Sequence, residues 1–158
     1  MFVGVDCPLA KMYGQRFSKL ADVNPRVAFI GVDSNHRDDV EAIRSWRREF
    51  APSLAVFVDR SQVVADALGA TRNPQVVVLD RELRIRYRGR IDDQYTTLRR
   101  ADGVLRKDLA IAIDELLQGK DISVPETVAS RASRNGRGRS AAVGNVTAYA
   151  PAWEVMST

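Results

Sequence analysis

The chain of 158 residues has little sulfur or imidazole: one cysteine, Cys7, and one histidine, His36. One cysteine excludes an internal disulfide and any multi-thiolate metal centre. One histidine would leave a zinc or copper site to carboxylates, a poor match to what those ions prefer. No metal and no cofactor is therefore expected, and a copper-carrying role is set aside for want of a second cysteine. No apolar run reaches the ~18 residues a membrane-spanning helix needs, and no basic-then-apolar leader is visible. Membrane insertion is not expected. Because the first residues already read as a core strand, a clipped start is expected. The compartment stays open between cytoplasmic, the literal reading, and periplasmic or exported.

Positive charge is scarce where a nucleic-acid surface would need it. Residues 128–158 carry Arg131, Arg134, Arg137 and Arg139 against Glu154 alone, a balance of +3, so of the formal +4 only +1 belongs to residues 1–127. The body lacks the basic excess of a nucleic-acid binder. What is present is the composition of a globular domain, 45% hydrophobic and 28% charged, in a chain long enough for one core.

Periodicity supplies the elements. Phe2–Val5 reads as a short buried strand. From Pro8, Leu9, Tyr13, Phe17 and Leu20 follow helical spacing until Asn24-Pro25. Val27–Val32 (VAFIGV) reads as a buried strand. A second helix is predicted from Asp38, with Val40, Ile43, Trp46 and Phe50 inward. Leu54–Val58 reads as a strand, and Ser61 as the cap of a short helix ending at Gly69. Gln75–Leu79 and Leu83–Tyr87 flank Asp80-Arg81-Glu82 as a hairpin. A last helix is predicted over 103–118, with Leu105, Leu109, Ala112, Ile113 and Leu116 inward. The order β-α-β-α-β-α-β-β-α predicts an α/β fold: a mixed sheet, parallel at first, with helices on both faces. The domain is expected over 1–127. Residues 128–158, small, polar and basic, read as a linker or disordered tail.

The stretch GVDCPLAKMYG holds the chemistry-bearing candidate. Proline is favoured at the first helical position, so Pro8 makes Cys7 the N-cap of the first helix. A thiolate there would face the N–H groups of Leu9 and Ala10 and the positive end of the helix dipole. Asp6, next to it, opposes the thiolate if its side chain faces the sulfur. The alternative is a small buried hydrophobe, the common role of a free cysteine.

Four segments, FVGVDCPLAKMYG, VAFIGVDSN, GATRNPQVVVLD and YRGRIDDQY, together resemble a redoxin domain of the alkyl hydroperoxide reductase/thiol-specific antioxidant superfamily, close to bacterial redoxin-domain proteins with a CPLAK-type site and an RxDDQY segment. The resemblance spans about residues 1–127 and implies a thioredoxin-like fold. It implies that Pro74, after Asn73, is the cis-proline packed against the active cysteine. It also implies an arginine near the sulfur, for which Arg88 or Arg90 is the candidate, and the loop that carries Tyr95 is a candidate for shaping access or contacting thiolate or substrate.

Three departures bear on activity. The position three residues after Cys7, where a dithiol motif has its second cysteine, is Ala10. The position three residues before it, where peroxiredoxins carry Thr or Ser, is Gly4. The VPETVASRAS segment lacks the Gly-Cys pair that relatives of the closer type often carry there. The closing NVTAYAPAW is faintly similar to the lead-in to a further module in such relatives, and a truncated or frame-altered product is the expectation it raises. For RIDDQY, a solvated turn with weak ion pairs competes with a loop beside the cysteine. Tyr95 could equally cover the core. His36 reads as a loop residue rather than a base for Cys7, and Trp46 as core.

The expected function is a redoxin-type thiol oxidoreductase or antioxidant. Cys7 would react with a peroxide or disulfide, and an external thiol would complete the cycle. The competing expectation is a non-catalytic thioredoxin-like module that binds a fused or neighbouring domain of a longer exported protein.

Overall fold

The computed structural model describes residues 1–95 and 101–129. They form a mixed α/β structure in the order β1 (Phe2–Val3), α1 (Pro8–Asp22), β2 (Ile30–Asp33), α2 (Val40–Phe50), β3 (Ala55–Val58), α3 (Val63–Ala67), β4 (Val76–Leu79), β5 (Ile85–Gly89) and α4 (Asp108–Leu117). The order matches the sequence expectation. The single mixed sheet does not form as one ladder. β1, β2 and β3 pair in parallel, β4 and β5 form a separate antiparallel hairpin, and the two join through an isolated bridge, Phe2 N–H to Gln75 O at 2.8 Å.

Strand alternation divides the core. Val3, Val76, Val78 and Tyr87 join Ala10, Tyr13 and Phe17 of α1, Trp46 of α2 and Leu109, Ala112 and Ile113 of α4 in the larger cluster. Phe2 and Val32 point the other way, into a small cluster with Ala65 and Ala70 and with half-buried Leu68 and Val77. Helices therefore cover both faces, but unequally: α1, α2 and α4 on one, the five residues of α3 on the other.

α1 forms because Pro8 pre-sets its first turn and Ala10, Tyr13, Gly14 and Phe17 recur on one face. It ends where Asn24 Nδ2 donates to Leu20 O at 2.8 Å, just before Pro25. Gly14 is the residue that lets α2 approach: a Cβ there would lie 2.9 Å from Phe50 O and 3.1 Å from the Trp46 ring.

Several predicted boundaries move. β2 begins at Ile30 rather than Val27, because the Val27 N–H returns to Asn24 O and Phe29 stacks edge-on against Phe17. α2 is capped by Asp39, whose side chain accepts the Ala42 N–H, and Asp38 is buried elsewhere; Val40 is exposed. Ser61 caps nothing. Asp59 does that work for α3, accepting the N–H groups of Val64 and Ala65. α4 starts at Asp108, five residues later than predicted, and Leu105 is exposed instead of inward. Asp93 accepts the N–H groups of Leu105 and Arg106, which holds that stretch as a turn.

Ala129 is buried and its carbonyl accepts from Arg72 at 3.4 Å. The rest of the expected tail, 130–158, lies outside the described residues. Among the described residues no helix is long and apolar enough to cross a membrane.

Candidate functional site

Cys7 is the N-cap of α1, extended in backbone conformation, with Pro8 following. Its thiol is half-buried, between the two sequence alternatives of exposed nucleophile and wall material. The turn that carries it is closed by the Cys7 N–H donating to Gly4 O at 3.1 Å. The sulfur does not cap the helix: Cys7 makes no side-chain hydrogen bond to the first-turn N–H groups, so the expected contact with Leu9 and Ala10 is absent. The thiol instead donates to Asn73 O at 3.5 Å, 66 residues away. The Asn73–Pro74 peptide is cis and Pro74 is buried. Asp6 is exposed.

Gly4 explains its own identity. A Cβ there would lie 3.1 Å from Asn73 Nδ2 and 3.8 Å from Asp38 Oδ2. A Thr or Ser at this position would press on the same asparagine whose carbonyl receives the thiol.

The RIDDQY segment is not a solvated turn. Asp92 is buried and accepts from the Tyr13 hydroxyl at 2.6 Å and from Arg16 Nη1 at 2.7 Å. Arg16 Nη2 also donates to Gln94 Oε1. The Arg16 guanidinium lies 5.1 Å over the Tyr13 ring and 6.0 Å over Tyr95, and the two tyrosine rings meet edge to face at 5.9 Å. Burial, with the Asp92 bond next, pushes the Tyr13 hydroxyl well above its usual range, so it stays a donor. The segment thus clamps the helix that begins at Cys7.

Arg88 and Arg90 engage other partners. Arg88 donates to Glu126 Oε1 at 2.9 Å, and Arg90 Nε to the buried Asp108 Oδ2 at 2.7 Å. His36 is exposed, with its carbonyl accepting from Arg60. Trp46 is core, as predicted.

Sequence reasoning missed one group altogether. Asp33, at the end of β2, is 0% exposed, and its Oδ1 accepts the Asn35 N–H at 2.9 Å. Asp38, 3% exposed, accepts the Val5 N–H at 2.9 Å and Asn35 Nδ2 at 2.7 Å. Two carboxyls thus sit under the cysteine turn. The signal available was the SNHRDD run after an apolar strand, which reads equally well as a helix start. Among the described residues, no group of three or more His, Cys, Asp or Glu side chains is placed to hold a metal ion.

Fold and site together define a mixed α/β protein with a half-buried thiol at the start of its first helix. No family model and no curated protein matches the chain. Among solved structures it is similar to an uncharacterized conserved protein from Geobacillus kaustophilus, at 27% identity and a TM-score of 0.67, over 82% of this chain and 70% of that one. It is also similar to a hypothetical protein from Sinorhizobium meliloti, at 28% identity and a TM-score of 0.68, over 81% and 74%.

Proposed function

We propose that this is a thioredoxin-like protein of redoxin type whose Cys7 is a reacting thiol. The observation that carries this is the Cys7 Sγ–Asn73 O contact at 3.5 Å, which sets a half-buried sulfur against the loop of Pro74. Cys7 is partly exposed, and it stands at the amino end of the Pro8-led helix, where the helix dipole favours a thiolate. The βαβαβαββα order, with parallel strands first and a hairpin after, supports the fold.

The chemistry follows from a single sulfur. The thiolate attacks one oxygen of a peroxide; an S–O bond forms, the O–O bond breaks, and the departing hydroxide or alkoxide takes a proton. An external thiol then condenses with the sulfenic acid, releasing water and leaving a mixed disulfide. A second external thiol releases Cys7 and carries the disulfide away. With a disulfide as oxidant, the thiolate displaces one of its thiols and the mixed disulfide forms directly.

The test is intact-mass kinetics with dilute hydrogen peroxide, using Cys7→Ser as the control for methionine oxidation. The expected result is gain of one oxygen at Cys7 faster than free cysteine gains it; a rate no faster than free cysteine refutes the proposal. The pairing of Arg88 with Glu126 and of Arg90 with Asp108 favours a second reading, a non-catalytic module of the same fold that binds a partner domain. Cys7→Ser would leave partner binding intact under that reading.

A further inference from the structure

Two carboxyls beneath the cysteine turn are arranged as a pair with one oxygen unaccounted for. Among the described residues, Asp33 Oδ2 has no hydrogen-bond donor, although the residue is 0% exposed. An ionised carboxylate so buried would be left uncompensated, at high free-energy cost. A protonated one becomes a donor and needs only an acceptor, and Asn35 joins it to Asp38: the Asn35 N–H goes to Asp33 Oδ1 at 2.9 Å and its Nδ2 to Asp38 Oδ1 at 2.7 Å. Asp38 is already turned inward: its Oδ2 takes the Val5 N–H and its Oδ1 takes Asn35 Nδ2.

We infer that Asp33 and Asp38 share a single proton, and that this proton positions the Gly4–Cys7 turn through the Val5 N–H held by Asp38. The surroundings fit. The charged groups that face Asp33 are Asp38, from the loop ahead of α2, and Arg60, from the turn after β3. Arg60 Nη1 donates to His36 O at 3.3 Å. Asp59, at the end of β3, is occupied by the Ser34 hydroxyl and the Val64 and Ala65 N–H groups. On β1 the strand neighbour is Val3, which brings no charge. Burial pushes the Asp33 carboxyl up to about 7; the Asn35 N–H, next in size, pulls it down, the Asp38 side chain adds upward, and Arg60 pulls least, downward.

Loss of the proton leaves two like charges in one dry site, a state that carboxyl pairs avoid. Relief comes when Asp38 moves away, which releases the Val5 N–H, and Val5 lies inside the turn closed by the Cys7 N–H on Gly4 O. Asp33 and Asp38 are thus positioning residues for the thiol. Only this last link, from turn to sulfur chemistry, rests on the proposed reactivity of Cys7.

The test is nuclear magnetic resonance of the whole chain from pH 4 to 9. The carboxyl carbon of Asp33 is expected to move through a transition near neutrality, and the Val5 amide shift to follow it. In Asp33→Asn, which keeps a donor but no titrating proton, the Val5 transition is lost. In parallel, the rate of Cys7 alkylation by iodoacetamide at pH 8 is expected to differ between Asp33→Asn and the wild-type chain. A Val5 amide that stays flat through neutrality in the wild-type protein, or titrates identically in Asp33→Asn, overturns the inference; so does an Asp33 carboxyl carbon that titrates in the ordinary acid range, a result read on the wild-type chain alone. A Val5 transition that is present while Cys7 reacts no faster with peroxide than free cysteine keeps the proton pair and removes the redox proposal.

Discussion

Asp33 and Asp92 are both buried aspartates close to the cysteine helix, and they solve burial in opposite ways. Asp92 accepts from a guanidinium, a tyrosine hydroxyl and the Gln94 N–H. Asp33 has one backbone N–H and a neighbouring carboxyl. Charge, not hydrophobicity, separates them: at Asp92 a guanidinium bonds the carboxyl directly and makes a clamp, whereas at Asp33 the nearest cation, Arg60, acts from a distance and is bonded to His36 O, and the site becomes a proton-holding pair. A buried carboxyl is therefore rigid or switchable according to whether a cation reaches it.

The largest way to break the comparison is to remove the clamp. Asp92→Ala leaves Tyr13 without its acceptor and Arg16 with Gln94 only. Breaking a buried ion pair costs ~3–5 kcal/mol, and Arg16, about a third exposed, brings the expectation to about 3 kcal/mol. Urea titration at pH 7 reads it; a loss under about 1 kcal/mol would show that the clamp is ornamental.

The proton pair gives a smaller effect, and its sign depends on pH. Asp33 titrates higher in the folded state, at about 7, than its ordinary 3.8. The folded state therefore binds more protons, so the stabilisation is complete below the unfolded value and disappears as pH rises through 7. At ~1.4 kcal/mol per unit the wild-type chain is expected to lose on the order of 2 kcal/mol between pH 5 and 8 from this group. Asp33→Asn flattens that slope, and Asp92→Ala does not. Chemical denaturation across the range decides it, and parallel slopes in wild type and Asp33→Asn would remove Asp33 from the explanation.

Gly4→Ser sharpens the comparison at the turn between the two carboxyls. Its Cβ meets Asn73 Nδ2 at 3.1 Å, so the loop yields by a few tenths of an ångström. Overpacking of this kind costs about 1 kcal/mol, and the Cys7 alkylation rate is expected to change with it. An unchanged rate would show that the 73–74 loop does not control access to the sulfur. The smallest effect belongs to the lightly covered face. Phe57, paired with Val32 but 56% exposed, lies beyond the reach of α3. Phe57→Thr is expected to shift stability by less than about 0.5 kcal/mol, and thermal denaturation measures it.

How much of this was legible in the sequence depends on chain separation. α1 and the β4–β5 hairpin could be read because their signals are local: Pro8 at the first helical position, a 3.6-residue repeat, polar residues between two apolar runs. Helix starts went wrong wherever a distant side chain does the capping, as Asp59 does for α3 and Asp93 does ahead of α4. Val27–Phe29 has strand composition, but its residues are used on the end of α1, not on a neighbouring strand. Cys7 stood out as a lone sulfur before a proline. The Tyr13–Asp92 and Arg16–Asp92 bonds span 79 and 76 residues, and the Val5–Asp38 bond spans 33. No local pattern encodes partners at such distances, so the two aspartates looked alike until the fold brought a guanidinium into direct contact with Asp92.

The most direct measurement is the second-order rate of Cys7 oxidation by hydrogen peroxide, followed by intact mass at pH 7 in the wild-type chain with Cys7→Ser as the blank. A sulfur set at the start of α1 against Asn73 O is expected to gain one oxygen at least ~10-fold faster than free cysteine. A rate equal to or below that of free cysteine would contradict it.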